Sequence, residues 1–130
     1  MRIETDIKLD YKDVLLKPKR STLTSRKSVT MEREFTFRHW SDTSEAWDGV
    51  PIMASNMDGV GTFSMASVLQ KYNMLTIIKK HYTIEDWENA VGHGMSLNNI
   101  AVSTGTNAIF DPDAEDYKKA QEILTRWPDI

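Results

Sequence analysis

From residue 50 onward, apolar and polar positions alternate in blocks. Val50-Pro51-Ile52-Met53-Ala54 and Ile100-Ala101-Val102 are short, continuously apolar runs, and Met74-Leu75-Thr76-Ile77-Ile78 is apolar but for Thr76. Runs of that kind predict strands buried on both faces, not strands with one face in water. Pro51 has no N–H to give a ladder, so it fits only near the start of its strand. After each run the period changes to that of a helix. Thr62 is placed as the N-cap of a helix carrying Met65, Val68, Leu69 and Tyr72 on one face. Thr83 is placed to cap a short helix with Trp87 and Val91, and Glu85 and Asp86 suit its first-turn dipole. Asp113 is placed to cap a third, with Tyr117, Ala120, Leu124 and Trp127 in register, Arg126 in the last turn and Pro128 as its stop. Residues 50–127 therefore predict an α/β fold of three β-α units in series, joined by crossovers that make the strands parallel.

Residues 1–49 follow no such pattern. Lys17-Pro18-Lys19-Arg20 runs into a stretch crowded with Ser and Thr, which predicts an extended loop. Val29 to Phe37 alternates partially and predicts an edge strand or hairpin arm. Trp40 to Gly49 reads as a surface turn. Residues 1–130 are thus expected to form one partial domain, with 1–49 its extended N-terminal segment and 50–130 its three β-α units. The chain stops at Trp127-Pro128-Asp129-Ile130, where a further strand is due. A parallel sheet of three strands has two open edges and little cover for its faces. The expectation is a piece of a larger α/β body, completed by a longer parent or by a second polypeptide.

Composition narrows the classes. A net charge of −3 argues against a bulk nucleic-acid binder but leaves room for a phosphorylated small molecule, which needs only a few local cations. The absence of Cys excludes a disulfide, a thiolate metal site and a cysteine nucleophile within these residues. No apolar run approaches the roughly 20 residues of a membrane span. The start, MRIETDIKLD, lacks the apolar core of a signal peptide, so a cytoplasmic protein with no membrane partner is expected.

Candidate chemistry gathers in the three loops that follow the strands: Ser55–Gly61, Lys79–Tyr82 and Ser103–Thr106. Parallel strands bring such loops to one end of a sheet, where ligands of α/β proteins bind. Lys80 leads the candidates. At the end of a buried strand it is expected to be partly desolvated, which would make it a proton donor near neutrality. Of the adjacent Lys79 and Lys80, one is expected to be merely solvated. His81 could titrate usefully or serve as a hydrogen-bonded structural residue. The Thr106 hydroxyl could relay a proton or orient an amine, or simply form a turn. Asp58 could take hydrogen bonds from ribose hydroxyls or brace its own loop. Met57 could stack on a planar ring or fill core. Lys19, Arg20 and Arg26 would suit a phosphate, although basic loops are commonly solvated.

Five segments together carry a resemblance. They are Asp10-Tyr11-Lys12-Asp13-Val14-Leu15-Leu16-Lys17-Pro18-Lys19-Arg20-Ser21-Thr22-Leu23, then Gly49-Val50-Pro51-Ile52 through Asn56-Met57-Asp58, Gly61-Thr62-Phe63-Ser64-Met65-Ala66, Lys80-His81-Tyr82 and Val102-Ser103-Thr104-Gly105-Thr106. In this order they resemble the IMP dehydrogenase/GMP reductase family, and its GMP reductase branch in particular. Asn56 before Met-Asp, the Ser-Thr-Gly-Thr loop and the direct run from His81-Tyr82 into the next helix favour that branch. The resemblance implies the first part of a (β/α)8 TIM barrel that reductively deaminates GMP to IMP and ammonia with NADPH. In the reaction so implied, a cysteine would attack purine C2, ammonia would leave, and hydride would complete the conversion. It further implies that Lys80 and Thr106 serve the deamination step and that Ser55, Asn56, Met57 and Asp58 lie at the nucleotide. Ser25, Arg26 and Lys80 would contact the dinucleotide, Ser25 and Arg26 across a subunit boundary in a homotetramer. The cysteine loop and a monovalent-cation site would lie in the remaining portion. Gly59, Lys79 and Ser55 stand where the family usually has Thr, His and Ala. An IMP dehydrogenase part and a non-catalytic fragment that associates with a full-length homologue are the alternatives.

Overall fold

A computed structural model describes residues 5–37, 46–106 and 111–130. The chain divides into two units, Met1–Thr30 and Met31–Ile130. In the first, the described elements are short 3-10 turns at Tyr11–Asp13 and Arg26–Ser28, separated by irregular chain as the Pro, Ser and Thr content predicts. The basic stretch of residues 17–20 is exposed throughout.

The second unit holds a four-stranded sheet in the order β1-β2-β3-β4 with three helices. Strand β1 (Arg33–Phe35) is the expected hairpin arm and pairs antiparallel with β2 (Trp47–Ala54). Strands β3 (Met74–Ile78) and β4 (Ile100–Val102) continue the sheet in parallel. Helices α1 (Phe63–Leu69), α2 (Ile84–Gly92) and α3 (Glu115–Arg126) follow β2, β3 and β4 in turn. The α/β class and the three β-α units are those the sequence predicts.

Several details differ. Strand β2 begins at Trp47, so Trp47-Asp48-Gly49 is ladder and not turn; residues 40–45 of that expected turn lie outside the described residues. Pro51 consequently sits inside β2. The ladder shifts register between Val50 and Met53, and such a bulge is where a residue without an N–H can be held. Nor is β2 buried on both faces, since Ile52 is 52% exposed and Met53 51%. On α1 the buried residue is Ala66, while Val68, and Tyr72 in the 3-10 turn that follows the helix, are exposed; a small side chain lets the helix lie close on the sheet. Thr62 and Thr83 do cap α1 and α2, and Asp86 completes a capping box by accepting the Thr83 N–H at 2.8 Å. Asp113 does not cap α3. Ala114 precedes that helix, and the Asp113 carboxylate pairs with Lys118 at 2.7 Å. Ile123, not Leu124, faces the core from α3.

That core lies between the sheet and the helices, built on Ala66, Ile78, Trp87, Ile100 and Ile123. Trp87 meets Phe63 edge-on at 5.1 Å and stacks with Trp127 at 6.1 Å, so α2 draws α1 and the end of α3 together. Arg126 ties α3 to Glu88 of α2.

Polar side chains fasten the N-terminal ends of the parallel strands. Asn73, in the left-handed region at φ 53°, turns the chain into β3. Its carbonyl takes the Val50 N–H at 2.8 Å, and its amide donates to the Asp48 carbonyl at 3.0 Å. Asn99, buried just before β4, donates to Asn73 Oδ1 at 3.0 Å. The opposite, C-terminal ends of the strands are left for loops.

Candidate functional site at the strand ends

The parallel register brings the three loops beside one another. Gly61 closes the first loop. Its N–H donates to the Met57 carbonyl at 2.8 Å, and its own carbonyl takes the Lys79 N–H at 2.8 Å. A Cβ at Gly61 would run into the Ile77 carbonyl and come within 2.8 Å of Asn56 Cα, so the close approach of the first two loops requires glycine. Ser103, opening the third loop, donates its hydroxyl to the Ile78 carbonyl at 2.6 Å.

Two polar groupings result. In the first, Asp58 serves as a hub. Lys79 Nζ donates to its carbonyl at 3.3 Å and lies 3.9 Å from its carboxylate, while His81 Nδ1 lies 3.4 Å from the same carboxylate. Lys79 also sits over the Tyr82 ring at 5.2 Å. Asp58 thus braces the neighbouring loop. Ser55, Asn56 and Met57 are exposed beside it, and Met57 is not core.

Lys80 points the other way and anchors the second grouping. Its ammonium lies 3.0 Å from Asp116 Oδ2, on the first turn of α3, and that same oxygen accepts the Gly105 N–H at 2.8 Å. Lys119, one turn further along α3, donates to the Lys80 backbone carbonyl. The pair with Lys80 first, and the Gly105 amide after it, hold the Asp116 carboxyl below the usual carboxylate range. Lys80 is thus only partly withdrawn from water at the end of its strand, and it is paired. Its side chain is 42% exposed and faces a carboxylate, because the ammonium reaches past Ile78 to the helix that follows the next strand. Lys80, His81, Glu115, Asp116 and Lys119 line an open cleft there. Thr106 is exposed immediately after Gly105.

Asp116 and Lys119 were not among the expected site residues. One sequence signal bore on them: both stand on the first turns of the helix after the third loop, on the side that faces the strand ends. Ser25 and Arg26 belong to the first unit. Ser25 caps its 3-10 turn by accepting the Lys27 N–H at 3.2 Å, and the Arg26 side chain is exposed. Among the described residues no cluster of three or more His, Asp or Glu is placed to hold a metal, and no helix is long and apolar enough to cross a membrane.

The relatives of the chain are informative. GMP reductases from Escherichia coli O1:K1, Escherichia coli K12 and Shigella boydii serotype 18 are each 50% identical to it over 130 residues. Those matches cover 98% of this chain and 35% of each relative, so the chain spans about a third of the length of the curated relatives it matches. No family model matches it.

Proposed function

The chain matches the N-terminal portion of the GMP reductases, and on that premise we propose that it supplies the lysine side of a GMP reductase active site. The completed enzyme would convert GMP to IMP and ammonia at the strand ends of a barrel whose other units come from outside these residues. The observation that carries this reading is the placement of Lys80 beside the Gly105-Thr106 loop, its ammonium oriented by Asp116 at 3.0 Å.

In such a reaction the departing amine must take up a proton. The Lys80 ammonium can give one, and the Thr106 hydroxyl can pass one on. Ser55, Asn56, Met57 and Asp58 form the neighbouring loop and would meet the nucleotide, with the exposed Met57 free to lie against a planar base. The chain has no Cys, so a cysteine nucleophile would be contributed by another part of the enzyme. Lys80 is a cation suited to the phosphate oxygens of a dinucleotide. In the first unit Arg26 is another and the Ser25 hydroxyl can still donate, and these two would act across a subunit boundary. NADPH, when bound, would supply hydride. GMP and IMP as substrate and product, a cytoplasmic location and a homotetramer of the completed unit belong to this same reading.

The test is to assemble the chain with a polypeptide carrying the remainder of the barrel and to follow NADPH oxidation with GMP. Turnover that Lys80→Ala abolishes is expected; an assembled complex without turnover overturns the proposal. Assaying IMP oxidation alongside separates a dehydrogenase.

A second reading, a non-catalytic module that associates with a homologue, is favoured by the apolar groove on the sheet face away from the helices, lined by Phe35, Trp47, Ile52, Met53 and Leu75 among others. Light scattering after size exclusion would exclude it if the chain stays monomeric beside a full-length homologue.

A further inference from the structure

We infer that Asp116 is the positioning residue for Lys80, and that Gly105 is glycine so that a single carboxylate oxygen can hold both. Three observations converge on that oxygen. It receives the Lys80 ammonium at 3.0 Å and the Gly105 N–H at 2.8 Å, so a side chain from the second loop and the main chain of the third share one acceptor. A Cβ at Gly105 would run into Asp116 Oδ2 and come within 3.1 Å of Lys80 Nζ. Lys119 grips the Lys80 carbonyl from the same face of α3, which fixes the main chain from which the lysine extends.

An isolated surface ion pair would be held only loosely, because water screens it and both side chains lose rotamer freedom. This pair differs in that its acceptor is already oriented. The Asp116 side chain is 23% exposed, and a main-chain N–H sets its direction before the lysine arrives. The long, otherwise mobile lysine is thereby aimed at the Gly105-Thr106 loop. The inference rests on Lys80 being the proton donor of the proposed reaction, but the hold itself can be read without turnover.

The experiment is competitive acetylation of the chain with an N-hydroxysuccinimide ester, followed lysine by lysine by mass spectrometry. Exposed Lys71 and Lys118, which pairs with Asp113, serve as internal references. In Asp116→Asn the labelling rate of Lys80 should rise about two- to fivefold, the range expected for losing a partly exposed ion pair, while the references stay put. Gly105→Ala should raise it as well, although the carboxylate remains. An unchanged Lys80 rate in both variants overturns the inference. So does a rise shared by Lys118, which would mean that Asp116 merely keeps the start of α3 folded. Absence of GMP-dependent NADPH oxidation when the unsubstituted chain is assembled with the rest of the barrel would overturn the proposed function and leave the labelling result standing.

Discussion

Asp86 does its work through two hydrogen bonds from one residue. The Thr83 backbone N–H, and then the Thr83 hydroxyl, hold its carboxyl below the usual carboxylate range. A carboxyl lowered in the folded state adds stability that is complete above the ordinary Asp value of about 3.9 and is lost as pH falls through the lowered one. Carbon NMR of the Asp86 carboxyl should therefore show a depressed midpoint. Thr83→Ala should raise that midpoint part of the way, since the backbone donor stays. Glycines give a second residue-scale contrast. A Cβ at Gly59 meets nothing, so Gly59→Ala should be tolerated, whereas Gly61→Ala must push the first loop off Ile77. Denaturant midpoints should separate the two variants clearly. Capping by Thr62 and Thr83 was legible in the sequence because it depends on neighbours three residues away. The partner of Lys80 was not, because Asp116 is 36 residues distant and its role exists only once β3, β4 and α3 are placed.

At the scale of elements, strands were read more accurately than helix faces. Strand β3 occupies Met74–Ile78, the run the sequence marks, because a block of β-branched and apolar residues has few other uses. Helix faces depend on what lies beneath them, and here Ala66 turns inward in place of larger neighbours and Ile123 in place of Leu124. Replacing Trp87, 2% exposed between Phe63 and Trp127, by Ala should cost about 3–5 kcal/mol in chemical denaturation, as for other buried aromatics. Asn73→Gly would keep the left-handed turn but remove the side-chain bonds to Asp48 and Asn99. A loss of about 1–3 kcal/mol is expected by the same measurement, much of it from leaving buried Asn99 without this partner.

At the scale of the whole molecule, one sheet face is covered by α1, α2 and α3, and the other carries an open apolar groove beside Ile52 and Met53. Exposed apolar surface of that kind marks a contact surface. The isolated chain should bind a hydrophobic dye there. Ile52→Glu should reduce the dye signal and weaken assembly with the remaining barrel, as read by fluorescence and by analytical ultracentrifugation. Unchanged dye binding would place the contact surface elsewhere.

By itself the sequence determined the α/β class, the order and approximate bounds of the strands, two helix caps, and the gathering of loops 55–61, 79–82 and 103–106 at one end of a parallel sheet. Those follow from local periodicity and from the fact that parallel strands all point the same way. Only the tertiary structure decided which residues meet there. It set Asp58 between Lys79 and His81, and it brought Lys80 and the Gly105 N–H to one Asp116 oxygen. It also left β2 half-covered where an apolar run had predicted burial on both faces. Such contacts join residues far apart in the chain, and their geometry is fixed by register and helix placement, which no local pattern encodes.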